Sequence, residues 1–376
     1  MQLPPLSLYV HFPWCERKCP YCDFNSHELS GALEEDEYID QLLADLSTQK
    51  PYVMGRKVQS IFFGGGTPSL FSPEAITRLL EGIAQRVTLE RGVEITLEAN
   101  PGSVEAEKFK AYLAAGVNRL SLGIQSFQDD KLLALGRIHN AQEAQNAFAT
   151  ARASGCKNIN LDLMHGLPGQ SLDDAMFDLE RALALEPEHI SWYQLTIEPK
   201  TVFARRPPLL PLDRILGDIE QNGLKLLNSS GYLRYEISAY AKPGLECKHN
   251  LNYWTFGDYL GIGAGAHGKL SLPDKNTILR SSRPRQPRLY LKPTALEELD
   301  LKTVSEPERI GEFLMNVLRL TKGVQRNSFK NSTGLDLKAI ESGIEHFENL
   351  EIWQKGKIGL SKNGLRYLDS VVEYFL

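Results

Sequence analysis

The chain has 376 residues, 42% hydrophobic and 24% charged, with 42 Lys and Arg against 47 Asp and Glu for a net charge of −5. That length builds a sizeable core without disulfide staples, and the mild acidity argues against a dedicated nucleic-acid binder, which usually carries a basic face. No run of about 18 apolar residues is present, so no membrane anchor is expected, and the opening MQLPPLSLYV lacks the charged-then-apolar pattern of a signal peptide. These features predict a cytoplasmic protein.

In chain order, strands are expected over residues 6–11, 58–63, 93–98, 119–124, 158–163 and 190–196, each short and rich in β-branched or aromatic residues. Between and after them, apolar residues at three- and four-residue spacing predict helices over 33–48, 73–87, 104–115, 141–154, 172–185 and 213–227. Ser72 followed by Pro73 is a helix-start signal. Strands alternating with helices imply a parallel sheet covered on both faces. Six such units make either an open sheet or a barrel, and the pattern alone leaves both open.

Residues 204–212 (ARRPPLLPL) read as a linker, 232–240 as one more strand, and 282–293 (SRPRQPRLYLKP) as an exposed basic crossover. Beyond about Glu306 the character changes. Helices are expected over 310–320 and 337–349, a hairpin over 351–360 around Lys355-Gly356, and a last helix over 363–375. This order predicts a small α+β, winged-helix-like module, dividing the chain into 1–304 and 305–376. Such modules often bind DNA, but Asp336, Glu341, Glu345 and Glu348 on and before its second helix would repel phosphate. No nucleic-acid partner is expected.

Five cysteines are present, and Cys15, Cys19 and Cys22 fall within eight residues directly after the first strand. Clustered thiols in a reducing compartment bind metal or do redox chemistry more often than they form disulfides. Three thiolates on one tight loop suit three corners of an iron–sulfur cube with the fourth iron open. The alternative is a closed zinc site with His11 or His27 as fourth ligand. Cys156 reads as structural, and Cys247 as a small apolar residue or a secondary ligand candidate.

A CxxxCxxC run after the first strand of a βα repeat resembles the radical S-adenosylmethionine (radical SAM) family. The resemblance implies a full or partial (β/α) barrel and a 4Fe–4S cluster on Cys15, Cys19 and Cys22. It implies SAM chelated to the fourth iron, from which a reduced cluster generates a 5′-deoxyadenosyl radical. Tyr21, just before the third cysteine, would lie near the SAM adenine. Gly64-Gly65-Gly66-Thr67-Pro68 follows the second strand; successive glycines allow close approach and expose N–H groups, and the resemblance places the SAM amine there.

Later strand ends carry Glu98, Gln125 and Asp162, with Arg137 in GRIHN. In βα barrels that end forms the active face. Together these residues resemble one subfamily, which holds the oxygen-independent coproporphyrinogen III dehydrogenases and a set of heme chaperones. Its members imply SAM contacts at Tyr9, Gly65, Gly66, Thr67, Glu98, Gln125, Arg137 and Asp162, the last two in the dehydrogenase through a second SAM. The dehydrogenases carry an extra cysteine two residues after the third, where Phe24 stands here, and a long extension before the cysteines, where 14 residues precede Cys15. Both departures match the chaperones. So does His249-Asn250-Leu251-Asn252-Tyr253-Trp254, an HNxxYW pattern associated with heme. Neutral imidazole is a common axial ligand to heme iron, although a histidine beside aromatics is more often structural. The resemblance thus implies a carrier of heme from a donor protein to apo-cytochromes or respiratory enzymes, with no catalytic residue assigned. The dehydrogenase is the alternative, and a homodimer is left open. GAGAHGK at 263–269 mimics a phosphate loop, but Leu270 replaces the magnesium-binding Ser or Thr. That segment instead suggests backbone approaching a ligand, with His267 as a minor heme-ligand candidate.

Overall fold

A computed structural model describes residues 1–297 and 299–376. Its first half is six βα units. The strands β1 (Leu6–Phe12), β2 (Val58–Gly65), β3 (Leu89–Ala99), β4 (Arg119–Gln125), β5 (Ile159–His165) and β6 (His189–Gln194) lie side by side and parallel. Helices α1 (Glu35–Gln49), α2 (Pro73–Arg86), α3 (Ser103–Ala115), α4 (Ala141–Ala153), α5 (Leu172–Ala184) and α6 (Asp213–Ser229) alternate with them or follow. Ser72 caps α2 through the Ala75 N–H, and Asn140 with Glu143 forms a capping box on α4.

The later chain extends this sheet at both edges. It adds β7 (Leu233–Glu236), β8 (Ala239–Ala241), helix α7 (Lys248–Trp254), then β9 (Asp258–Ile262), β10 (His267–Leu272), β11 (Thr277–Ser282) and β12 (Asp300–Thr303). The strand order is β12-β11-β10-β9-β1-β2-β3-β4-β5-β6-β8-β7. β9 joins β1 in parallel, and the outer strands attach antiparallel. The first and last strands do not pair, so the sheet is an open, partial barrel.

Period-2 alternation decides what each side of this sheet carries. On β1, Leu6, Leu8, Val10 and Phe12 join the apolar layer under the helices. Ser7, Tyr9 and His11 point the other way, where Ser7 meets Ser60 of β2 at 2.7 Å. The same alternation puts Glu94, Thr96 and Glu98 of β3, Arg119, Ser121 and Gln125 of β4, Asn160 and Asp162 of β5, and His189 and Ser191 of β6 on the inner face. The barrel therefore has an oily jacket and a polar lumen. Burial there is tolerated because the groups satisfy one another: Asn160 Nδ2 donates to Ser121 Oγ at 2.8 Å, and His189 Nδ1 lies 2.6 Å from Asn160 Oδ1.

The C-terminal module holds α8 (Glu306–Val317), α9 (Asn327–Thr333), α10 (Lys338–Asn349) and α11 (Leu368–Phe375) around a second core that also takes Phe256 from the turn before β9 and Ile278 from β11. Arg280 on β11 bonds both oxygens of Glu312 on α8, the shortest contact being 2.7 Å, and donates to Tyr259 Oη at 2.8 Å. Arg319 lies 4.4 Å over the Trp254 ring. No helix among the described residues is long and apolar enough to cross a membrane.

Four expectations are corrected. Residues 232–240 form two antiparallel strands, because Ile237-Ser238 turns the chain between β7 and β8. Residues 282–293 are a crossover exposed only in part: Arg285, Gln286, Arg288 and Leu289 face solvent, but Arg283 and Tyr290 are buried against α1, where Asp45 accepts from Arg283 Nη2 at 2.6 Å and from Tyr290 Oη at 2.9 Å. The 351–360 hairpin is reduced to a Trp353–Leu360 bridge, and Lys357–Ile358 pairs instead with Val324–Gln325. The last helix begins at Leu368, after a separate 3₁₀ turn over Gly364–Tyr367, because a Cβ at Gly364 would strike the Ile352 carbonyl and the chain is held close there.

Candidate functional site at the barrel mouth

Three free thiols stand at the C-terminal end of β1. Cys15 ends a two-residue strand, Trp14–Cys15, paired with His27–Glu28, and the loop between holds Cys19 and Cys22 half-buried. The loop is tied internally by Cys22 N–H to Cys19 carbonyl at 3.1 Å and by Lys18 Nζ to the Ser26 carbonyl at 2.9 Å. Arg137 Nη1 lies 3.6 Å from Cys19 Sγ and places a cation beside the cysteine loop. Burial pushes the Cys15 thiol up, opposed by its hydrogen bond with Thr67.

As the side chains stand, no three His, Cys, Asp or Glu among the described residues gather closely enough for one metal ion. A cubane takes each cysteine on a separate iron, so its ligands stand farther apart than those of a single ion. The donor set of three thiols beside an arginine fits such a cluster. The zinc alternative loses one of its two candidate histidines, because both ring nitrogens of His11 are occupied: Nδ1 lies 3.0 Å from Tyr9 Oη and Nε2 2.9 Å from the Asn25 carbonyl, while His27 Nε2 lies 3.2 Å from the Arg285 carbonyl.

The glycine turn after β2 packs against that loop. Gly66 N–H donates to the Phe12 carbonyl at 2.6 Å and Thr67 N–H to the Trp14 carbonyl at 2.7 Å. A Cβ on Gly66 would lie 2.5 Å from the Trp14 carbonyl oxygen, and Gly65 adopts φ +113°. Gly65 N–H donates to Glu98 Oε2 at 3.2 Å. The N–H groups of Gly65, Gly66 and Thr67, expected to be exposed to a ligand, are thus all spent within the protein. What the turn supplies is close support for the cysteine loop.

Glu98 faces the mouth. Burial first and the charge of Asp162 second push its carboxyl up to about 8, against the Gly65 N–H and Arg119. Asp162 lies deeper and accepts from Ser121 Oγ at 3.0 Å and Asn160 Nδ2 at 2.8 Å. Gln125 sits at the end of β4 with φ +70°, an uncommon backbone for a non-glycine residue, and its Oε1 accepts from Tyr193 Oη at 2.9 Å. Arg137 donates to Asn100 Oδ1 at 2.8 Å and the Gly123 carbonyl at 2.9 Å while its Nε has no partner. Tyr21 packs with Leu135, Met164 and Phe203.

A cleft of about 340 Å³ opens over these strand ends, within the usual range for ligand sites. Its walls include Tyr9, Gly65 and Glu98, then Phe24, Tyr253, Tyr259, His267 and Arg285. His249 does not line it. That residue is 3% exposed, with its ring 4.9 Å from Phe62, 5.0 Å from Tyr253 and 6.3 Å from Tyr9. Its Nδ1 lies 3.1 Å from Ser60 Oγ, its Nε2 has no partner, and burial pushes its pKa down to about 3. Glu94 fixes the helix that carries it, accepting from the N–H groups of Lys248 and His249 at 3.1 Å each. Lys269, the lysine of the phosphate-loop mimic, is buried 3.0 Å from Asp258 and unavailable to a phosphate.

Glu94, Arg119, Asn160 and His189 were not singled out from sequence, nor were Tyr259 and Arg285. For the first four a signal existed: each is a polar residue two positions from another on a short strand, a pattern that marks an inward face.

An open parallel barrel with three free thiols after its first strand is the build of a radical SAM protein. The sequence profile of the Radical SAM superfamily matches residues 9–182, and that of the HemN C-terminal domain matches 304–367. The chain belongs to the heme chaperone HemW family. It is 52% identical to the heme chaperone HemW of Haemophilus influenzae and 50% identical to that of Escherichia coli K12, each alignment covering 100% of this chain and 99% of the relative. A mitochondrial radical S-adenosyl methionine domain-containing protein 1 of Mus musculus is 42% identical over 70% of this chain and 60% of its own. The same fold occurs in coproporphyrinogen III oxidase (HemN) from Escherichia coli, with a TM-score of 0.82, 22% identity, and coverage of 99% of this chain and 90% of that one. The chain is thus a heme-related radical SAM protein, and the family implies a 4Fe–4S cluster and SAM.

Proposed function

We propose that this protein is a heme carrier that delivers heme to apo-hemoproteins of the respiratory chain from the cytoplasm. The observation that carries the reading is the half-open cleft beside the cysteine loop, walled by Tyr253 of the HNLNYW pattern and by Tyr9, Phe24 and Tyr259. Heme in water exposes a large apolar face, and an aromatic wall shields it. Phe24 stands where the dehydrogenases of the subfamily have a further cysteine, and it is 63% exposed at the cleft edge.

Cys15, Cys19 and Cys22 would hold the 4Fe–4S cluster. Tyr9, Tyr21, Gly65, Gly66, Thr67, Glu98, Gln125, Arg137 and Asp162 would surround SAM, and His249 and its helix would back the heme. When bound, the cluster supplies one-electron chemistry on SAM. The chain's own part is to orient and to screen. Arg137 holds positive charge at Cys19, and Glu98 stands as a carboxyl that would release its proton to solvent as a cationic ligand arrives and pair with that ligand as a carboxylate. Residues 1–304 would form the binding body and 305–376 the module bracing it.

The test is an anaerobic hemin titration of the full chain carrying its cluster, followed by visible absorption. Saturable binding near one heme per chain supports the carrier. Absence of saturable binding, together with turnover of coproporphyrinogen in the presence of SAM and a reductant, would replace it with the dehydrogenase.

A further inference from the structure

The HNLNYW histidine is screened from the cleft. Tyr9, Phe62 and Tyr253 surround the His249 ring, and none of its atoms forms part of the cleft wall. A planar ligand as wide as a porphyrin could reach its Nε2 only by displacing those rings. Two imidazoles do line the cleft, His11 and His267. His11 has both nitrogens engaged. His267, at the start of β10, has an exposed side chain that makes no hydrogen bond among the described residues. It is the imidazole with a nitrogen lone pair to offer.

A second group points to the same class of ligand. Arg285 lies on the cleft wall near His267, and its guanidinium faces no carboxylate among the described residues; its side-chain contact is Nε to Asn25 Oδ1 at 3.4 Å. The other arginine nearby, Arg280, is taken by Glu312, and Asp300 is taken by Ser282 Oγ at 2.7 Å. An uncommitted arginine at a ligand cleft suits a carboxylate, which it can grip with two parallel hydrogen bonds. Tyr253 and Tyr259, with ring centroids 4.2 Å apart, supply an aromatic surface between. A ligand with a metal for imidazole, a broad apolar face for the tyrosines and a carboxylate for arginine is an iron porphyrin with its propionates.

We propose that His267, and not His249, is the protein ligand to the heme iron, and that Arg285 binds a propionate. This rests on the heme-carrier reading and names the groups that would perform it. Ligation from a surface imidazole in a cleft of this size leaves one face or edge of the macrocycle uncovered, which is the geometry needed to hand the group to an acceptor. His249 then acts as a positioning residue behind Tyr9 and Tyr253.

The experiment titrates the cluster-loaded full chain with hemin, and separately with hemin dimethyl ester, in wild type, His267→Ala, His249→Ala and Arg285→Ala. His267→Ala should weaken hemin binding at least tenfold and shift the heme absorption band, and added imidazole should restore the wild-type band. His249→Ala should keep the band position. Arg285→Ala should weaken hemin several-fold and leave the dimethyl ester unaffected. Because His267 and Arg285 are exposed, their variants should retain the wild-type circular dichroism. An unchanged band and affinity in His267→Ala, or loss of the band in His249→Ala alone, overturns the ligand assignment. Equal weakening of hemin and its ester in Arg285→Ala overturns the propionate assignment. Lack of saturable binding by the wild type overturns the carrier reading itself.

Discussion

Replacing Glu98 by Gln isolates the one carboxyl at the mouth whose proton is held into the neutral range. Its pKa moves from an ordinary 4.5 to about 8. Between those values the folded chain keeps the proton and the unfolded chain has released it. Stability therefore falls as pH rises through this window and is fully lost, for this group, above the folded value. The ceiling is about 5 kcal/mol, from roughly 1.4 kcal/mol for each tenfold in proton concentration. Spread over the unfolding entropy of a chain this long, that is about 6 °C in Tm. Glutamine copies the protonated acid and can still accept the Gly65 N–H. The expected result, read by circular dichroism on the cluster-free chain from pH 5 to 8.5, is a Tm advantage for Glu98→Gln that is small, about 1 °C, near pH 5 and grows toward pH 8. Parallel curves, or an advantage that shrinks with rising pH, would refute the assignment of the buried proton to Glu98. The same proton has a ligand-binding signature. If SAM brings its cationic amine to Glu98 as proposed, calorimetry at pH 7 in buffers of different ionisation enthalpy should register release of close to one proton, and none in Glu98→Gln.

Cys19→Ser should abolish the cluster absorbance of reconstituted protein; full iron retention would remove Cys19 from the ligand set. Gly66→Ala drives a methyl against the Trp14 and Phe12 carbonyls, which should destabilise the chain by about 1–3 kcal/mol and lower cluster loading by disturbing the backbone at Cys15; wild-type loading would show that the turn does not support the loop. Asp45→Ala removes the carboxylate opposite buried Arg283 and should cost about 3–5 kcal/mol, read as a Tm loss; a change within about 0.5 kcal/mol, the range of an ordinary surface site, would contradict its structural role.

The repeated strand and helix units were legible because each strand is bounded by polar turn residues and each helix carries an apolar stripe. Their observed bounds mostly lie within two residues of the expected ones. The cysteine run was legible because its chemistry is local in sequence. What stayed hidden depends on contacts far apart in the chain. Arg283 reads as an exposed basic residue until Asp45, 238 positions away, is found opposite it. Tyr259 and Arg285 carry no motif and become site residues only when β9 pairs with β1. The HNLNYW pattern drew attention to its histidine, yet the tyrosine of the same pattern is what reaches the cleft. Sequence spacing could not distinguish them, because facing depends on how α7 seats on Glu94 and Phe62.

Arg280 gives the distant end of the chain a hand in the cleft. It grips Glu312 on the C-terminal module with one side of its guanidinium and the cleft tyrosine Tyr259 with the other. The module therefore works as a buttress whose removal would leave a wall of the binding site unsupported. A shortened chain would lose ligand affinity through slackness alone, with every wall residue still present. Conversely, any protein that pressed on α8 would transmit part of its load through Arg280 to the place where the cargo rests.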